Sequence, residues 1–89
     1  MFEFEAASRD ESVIVKVGRG GDTLGVQLEP AAMDLSDDEL ANRIVRLNTL
    51  AYLRSQLALR LEMEQNRFEV TLPLPTETQV EQYAATIDF

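Results

Sequence analysis

The chain has 89 residues, 16 of them acidic and 8 basic, so its formal net charge is −8, and it contains neither His nor Cys. Without Cys and His, disulfides, thiolate metal sites and the commonest general base are excluded. The acidic balance argues against binding to nucleic acid phosphates. We therefore expect a single small domain that is not an enzyme and holds no cofactor or metal.

The beginning of the chain predicts neither a signal peptide nor a membrane anchor. Phe2 and Phe4 alternate with Glu3 and Glu5, whereas a signal peptide needs basic residues followed by an unbroken apolar stretch. No run of apolar residues approaches the eighteen that a membrane-spanning helix needs. We expect a cytoplasmic protein.

Three short strands are predicted in the first third of the chain. The alternation of residues 2–5 gives the first, the β-branched segment Ser12–Val17 the second and Thr23–Leu28 the third. In the third strand, Leu24, Val26 and Leu28 are expected on one face. The glycine-rich segment 18–22 and the polar segment 8–11 are short enough for hairpins, so a three-stranded antiparallel meander is predicted.

One long helix is predicted in the middle of the chain. Ser36 and Glu39 have the spacing of a capping box, and no Gly or Pro occurs from there to about Gln65. Thirty residues span about 45 Å as a helix, whereas a compact domain of this size is about 30 Å across. We expect the helix to extend beyond its own domain.

This helix has more apolar surface than one small sheet can cover. Leu40, Ile44, Leu47 and Ala51 form one stripe, and apolar residues on both sides widen it to more than half of the circumference. A helix packed on a single sheet needs an apolar arc of roughly 100°. A second copy of the chain is the simplest cover, so a homodimer is predicted.

The C-terminal segment predicts an extended arm and a short helix. Residues 68–74 alternate like a strand, but Pro73 restricts them to an edge or an arm. Thr76 and Gln79 give a weaker capping signal, and the apolar residues after them recur at helical spacing. The predicted fold is α+β, a three-stranded antiparallel meander packed on one long helix. Residues 1–67 form the core, and residues 68–89 are an arm and helix of the same domain.

The residues expected at an interface lie on the long helix, the arm and the short helix. Some of them, Tyr52, Met63 and Tyr83 in particular, have an equally good interpretation as core or as a dimer seam. The short helix and arm are expected either to swap onto a second subunit or to contact a client protein. The candidate interface residues are Val45, Tyr52, Leu59, Met63, Phe68, Val70, Leu72, Leu74, Val80, Tyr83 and Ile87.

Three other groups of residues receive ordinary structural interpretations. Gly18–Gly21 joins two strands and lacks the Lys of a phosphate loop. The acidic residues at 34 and 37–39 lack calcium-loop spacing and are explained by helix capping. Residues 40–67 are the one basic segment, with a net charge of +3. Their arginines, at 43, 46, 54 and 60, are expected to extend around an apolar interface or to pair with acidic groups of a partner rather than to bind nucleic acid.

A family resemblance accompanies these patterns. The segments Ser12–Val17 and Gly20–Leu28, and the entry Leu35–Leu40 that continues to Ala51, resemble the YbaB/EbfC-like fold. With the tail Thr71–Thr76 and its following helix, the chain is most similar to EspH and related YbaB-like proteins of mycobacterial ESX (type VII) secretion loci. The resemblance implies a cytosolic adaptor or chaperone-like accessory protein that binds protein clients such as secretion substrates.

Two departures from the YbaB pattern bear on the alternative function, that of a nucleoid-associated DNA-binding protein. YbaB proteins begin with an additional helix, whereas this chain begins in a strand, so their dimer arrangement need not transfer. Their DNA-binding role is also at odds with a net charge of −8. We therefore favour the adaptor over the DNA-binding protein.

Overall fold

The computed structural model describes residues 3–67 and 69–89, and these form an α+β fold. Three antiparallel strands, β1 (Glu3–Ala7), β2 (Val13–Gly18) and β3 (Thr23–Leu28), form a sheet in the order β1-β2-β3. A short 3₁₀ helix, Pro30–Asp34, leads to the long helix α1 (Asp37–Gln65), and the chain ends with α2 (Glu77–Ala84). The predicted meander, long helix and short C-terminal helix are confirmed. Phe2 and Phe68 lie outside the described residues.

The turn between β1 and β2 is organised by the carboxylate of Asp10. The Ser8 hydroxyl donates to Oδ1 of Asp10 at 2.8 Å, and the Ser12 backbone N–H donates to the same oxygen at 3.0 Å. Ser8 Oγ in turn accepts from the N–H of Val13 at 3.1 Å. These bonds, the Ser12 N–H foremost, stabilise the charged carboxylate and lower the pKa of Asp10 from 3.8 to about 2.

Replacing Asp10 by Asn is expected to weaken the acid dependence of stability. Because the folded pKa of Asp10 is depressed, its charge stabilises the fold above about pH 4, and this stabilisation is lost as the pH falls towards 2. The free energy of unfolding of the wild type should therefore fall more steeply between pH 4 and pH 2 than that of D10N. Urea titrations followed by circular dichroism across this range measure both slopes, and parallel curves would contradict the role given to Asp10.

The two predicted helix caps form to different extents. At α1, Ser36 Oγ accepts from the N–H of Glu39 at 3.2 Å, but the Glu39 carboxylate accepts from Nε of Arg43 at 2.8 Å instead of returning to Ser36. The capping box predicted there is half formed, because a guanidinium is a stronger partner than a backbone N–H. The weaker signal at Thr76 and Gln79 forms the complete box, with both reciprocal bonds present.

Helix α1 sets the longest dimension of the molecule. Its 29 residues span about 43 Å, and the described residues extend over 48 × 23 × 18 Å. The prediction that the helix extends beyond a compact domain is confirmed.

The core lies between α1 and the β1–β2 half of the sheet. Helix α1 packs against β1 and β2, and the small side chains of Ala51 and Ser55 on the buried face of α1 allow close approach. The Ser55 hydroxyl is satisfied by donating to the carbonyl of Tyr52 at 2.6 Å. The buried apolar residues are Ala6, Val13, Val15, Val17, Ala32, Leu47, Leu50, Ala51 and Val80.

The C-terminal segment folds back onto its own chain. Val80 of α2 is buried in the core of its own chain. The sequence predicts instead that it contacts a client or a second subunit. Arg46 donates to the carbonyl of Thr86 and pairs with Asp88 at 3.4 Å. The guanidinium groups of Arg43 and Arg46 lie 4.9 and 5.1 Å from the ring centre of Phe89. These cation–π and hydrogen-bond contacts fix the tail against α1.

The segment before α2 is the predicted arm, and residues 69–74 contain no strand. The carbonyl of Leu74 accepts from Nη1 of Arg60 at 2.9 Å, which holds the arm beside the second half of α1. Among the described residues, no helix has the length and apolar character needed to cross a bilayer.

Candidate interaction surface

The sheet is covered by helix α1 on only part of its inner face. Val26 and Leu28 of β3 lie opposite Val15 and Val13 of β2, and directly opposed residues of antiparallel strands share a face. Val13 and Val15 are fully buried, whereas Val26 and Leu28 are 41% and 40% exposed. The difference arises because α1 packs over β1 and β2 and leaves β3 open.

One stripe of α1 continues this apolar surface. Val45 is 63% exposed and Tyr52 is 44% exposed, and Asn48 between them accepts a hydrogen bond from the Thr23 hydroxyl at 2.7 Å. The stripe therefore runs beside β3. We call the surface formed by Val26, Leu28, Val45 and Tyr52 the uncovered face.

The start of β3 is fixed by a glycine and by a slip in strand pairing. Gly21 has φ of +86°, and a Cβ there would lie 2.7 Å from Cε1 of Tyr52, so the close approach of this ring requires glycine. The pairing slips between Lys16 and Val17, which places Thr23 rather than Leu24 opposite Val17. The prediction that Leu24 alternates regularly with Val26 and Leu28 is therefore wrong, because the bulge removes it from the alternation.

The residues predicted at an interface fall into three groups. Val45 and Tyr52 lie on the uncovered face, whereas Tyr83 and Ile87 pack against the chain's own core and Val80 is inside it. Phe68 is outside the described residues. The remaining predicted residues lie further along α1 or in the arm, with Leu72 exposed and the others half-buried: Leu59, Met63, Val70, Leu72 and Leu74.

Val26 and Leu28 are not among the interface residues predicted from the sequence. A signal for them is present, because no charged residue occurs between Asp22 and Glu29. A strand at the edge of a sheet normally carries charged residues or proline, which prevent pairing with another chain.

The arginines of α1 are engaged within the chain. Arg54 donates to the carbonyl of Glu5 at 2.7 Å, and Arg60 pairs with Glu64 at 3.0 Å. From the hairpin between β2 and β3, Arg19 binds both carboxylate oxygens of Glu62 at 2.6 Å. Arg43 and Arg46 contact the tail. The arginine side chains of α1 therefore stabilise the fold through contacts within the chain. Arg43, Arg46 and Arg60 thus pair with acidic groups of their own chain, whereas the sequence predicts acidic groups of a partner.

No cluster of metal-binding side chains accompanies the uncovered face in the part of the chain that the structure describes. Residues 3–67 and 69–89 contain no group of three acidic side chains placed to hold a metal ion. A hollow on β1 is lined by Glu3, Phe4, Glu5 and Arg54. Both carboxylates there are exposed, so the hollow does not remove them from solvent.

Comparison of the chain with protein-family models, with curated proteins and with solved structures finds no match. The resemblance to YbaB-like proteins therefore stays a prediction from the sequence, and the fold itself rests on the structure.

Proposed function

We propose that this chain is a non-catalytic adaptor or chaperone-like accessory protein that associates with itself and binds protein clients. The observation that carries the proposal is the uncovered face, four apolar side chains from two neighbouring elements that the chain leaves in solvent. Contiguous apolar surface on a small domain is characteristic of protein–protein contact, and the core of such contacts excludes charged residues and favours aromatic ones such as Tyr52.

The cellular setting of the proposal comes from the sequence resemblance. It is a cytoplasmic role in actinobacterial type VII secretion, with secretion substrates as the clients. The alternative, a nucleoid-associated DNA-binding protein, is disfavoured by the net charge of −8 and by the use of Arg43, Arg46, Arg54 and Arg60 within the chain.

Capture of clients from the cytosol of the source organism tests the proposal. Wild-type protein on beads is expected to retain secretion substrates, identified by mass spectrometry. V45D places a charge on the uncovered face and should lower their recovery about tenfold or more, because desolvating a charge in an apolar contact is unfavourable.

The matched control is L61D, which puts the same charge on the same helix at Leu61, a 45% exposed position away from Val45. Its recovery of substrates should equal that of the wild type. Equal losses in both variants, or no substrate bound to the wild type, would contradict the adaptor function. Salt-sensitive binding of DNA in a gel-shift series would favour the alternative.

A further inference from the structure

The two edges of the sheet differ in how they are protected. On β1, the exposed carboxylates of Glu3 and Glu5 discourage pairing, and Arg54 caps the carbonyl of Glu5. Strand β3 has neither a charged residue nor a proline along its six residues, and all six are exposed. An edge of this kind is a template for pairing with another strand.

The backbone groups available at this edge belong to Val26 and Leu28. The N–H of Glu29 donates to the carbonyl of Ser12 at 2.8 Å, which continues the ladder between β2 and β3. Since inward and outward hydrogen bonding alternates along a strand, Gln27 and Gly25 also face β2, whereas Val26 and Leu28 direct their N–H and C=O groups outward. Among the described residues, no side chain or loop bonds these outward groups.

We propose that β3 pairs antiparallel with β3 of a second copy, about a two-fold axis at Val26, to form a continuous six-stranded sheet. The inference rests on the self-association in the proposed function and names its interface. An axis at Val26 places this residue opposite itself, so that the two copies exchange a pair of N–H···O=C bonds there. Next to the axis, Gly25 of one copy lies opposite Gln27 of the other, so the central pairs of the shared ladder contain no charged residue.

Charge favours a second copy as the occupant of this edge. A two-fold axis brings each side chain near its own equivalent, and like charges facing each other are destabilising. On a chain of net charge −8, the uncharged segment Thr23–Leu28 is suited to face itself, and Asp22 and Glu29 stay at the ends of the shared ladder. The axis also brings the uncovered faces of both subunits to the same side of the six-stranded sheet, where they lie next to each other.

Cysteine cross-linking tests this arrangement directly, because the chain has no Cys of its own. Residues opposed in a hydrogen-bonded antiparallel pair have Cα atoms about 5.5 Å apart, within the range of about 4.4–6.8 Å that disulfides span. V26C should form a disulfide-linked dimer in a glutathione redox buffer, seen on non-reducing gels. L72C, whose parent side chain is 53% exposed on the arm, is the control for random collision and should remain monomeric on the gel.

A proline at the same position tests the non-covalent dimer. V26P removes an N–H that points outward and leaves the ladder to β2 in place. The dissociation constant of the dimer should therefore rise about a hundredfold. Static light scattering or analytical ultracentrifugation measures it. V26A keeps the N–H and should have a smaller effect. Circular dichroism checks the fold of both, and V26K, which places two like charges at the axis, replaces V26P if the proline variant does not fold.

The outcomes separate this inference from the proposed function. The pairing of β3 with β3 would be overturned if the wild type dimerises but V26C does not cross-link and V26P or V26K dimerises normally. Self-association itself would then still stand. A wild type that stays monomeric up to millimolar concentration would overturn both the β3 pairing and self-association. Binding of clients by the uncovered face is tested separately by V45D.

Discussion

Replacing Leu47 by alanine is expected to lower the free energy of unfolding by about 3 kcal/mol. Leu47 lies in the buried face of α1, is fully shielded from solvent and belongs to the same cluster as Val13 and Val15 of β2. Truncation loses the transfer free energy of its methyl and methylene groups and leaves a cavity that rigid β-branched neighbours fill poorly. For a domain whose total stability is on the order of 5–10 kcal/mol, this is the largest effect expected from deleting apolar atoms.

Urea unfolding followed by circular dichroism measures this loss. The control is Leu61→Ala, the same truncation on the same helix at a half-exposed position, which should cost less than about 1 kcal/mol. Equal losses at the two positions would mean that α1 does not pack on the sheet through the face containing Leu47.

The elements of the fold follow from local signals in the sequence. The predicted strand Thr23–Leu28 has the bounds that the structure gives β3, and α1 begins directly after its predicted cap at Ser36. Alternation, hairpin composition and capping act over a few residues, so a single sequence contains them. The bulge at Leu24 could not be foreseen, because it depends on how β3 pairs with β2 rather than on the composition of β3 itself.

The position of the uncovered face depends on tertiary packing, which the spacing of residues in the sequence does not predict. The excess apolar surface of α1 indicates that part of it lies outside the core but not which part, and in the structure Val45 and Tyr52 are among its exposed residues. Whether Val26 and Leu28 are covered depends on where α1 crosses the sheet, and that is decided by the packing of small residues such as Ala51 against β2. Sequence patterns give the apolar face of each element but not the lateral offset between them.

The packing of the C-terminal segment is likewise not predicted by local sequence patterns. Its apolar spacing predicts an amphipathic helix, which the structure confirms as α2, but the spacing does not say what the helix packs on. The contacts that hold the tail join Arg46 to residues 86 and 88, about forty positions away in the chain. Pairings of this separation leave no local trace.

Replacing Val80 by aspartate is expected to lower the free energy of unfolding by about 3 kcal/mol or more, because the side chain is 5% exposed and a carboxylate there has no partner to offset its desolvation. The eight residues of α2 are too few to form a stable helix alone. We therefore expect α2 to leave the core in this variant. Hydrogen exchange measures the result, with loss of protection across residues 77–84 as the first expected sign.

The fate of α1 in the same variant decides whether the tail belongs to one cooperative domain. Val80 shares its cluster with Ala6 and Leu47, so undocking α2 exposes core residues that the sheet and α1 need, and protection in α1 should fall together with that of α2. Gln82→Asp adds the same charge to the exposed side of α2 and should change stability by less than about 0.5 kcal/mol. If V80D abolished protection in α2 while α1 stayed as protected as in the wild type, the tail would be an independent arm, available for exchange with a partner. Loss of protection in both would make residues 69–89 part of the scaffold that holds the uncovered face in place.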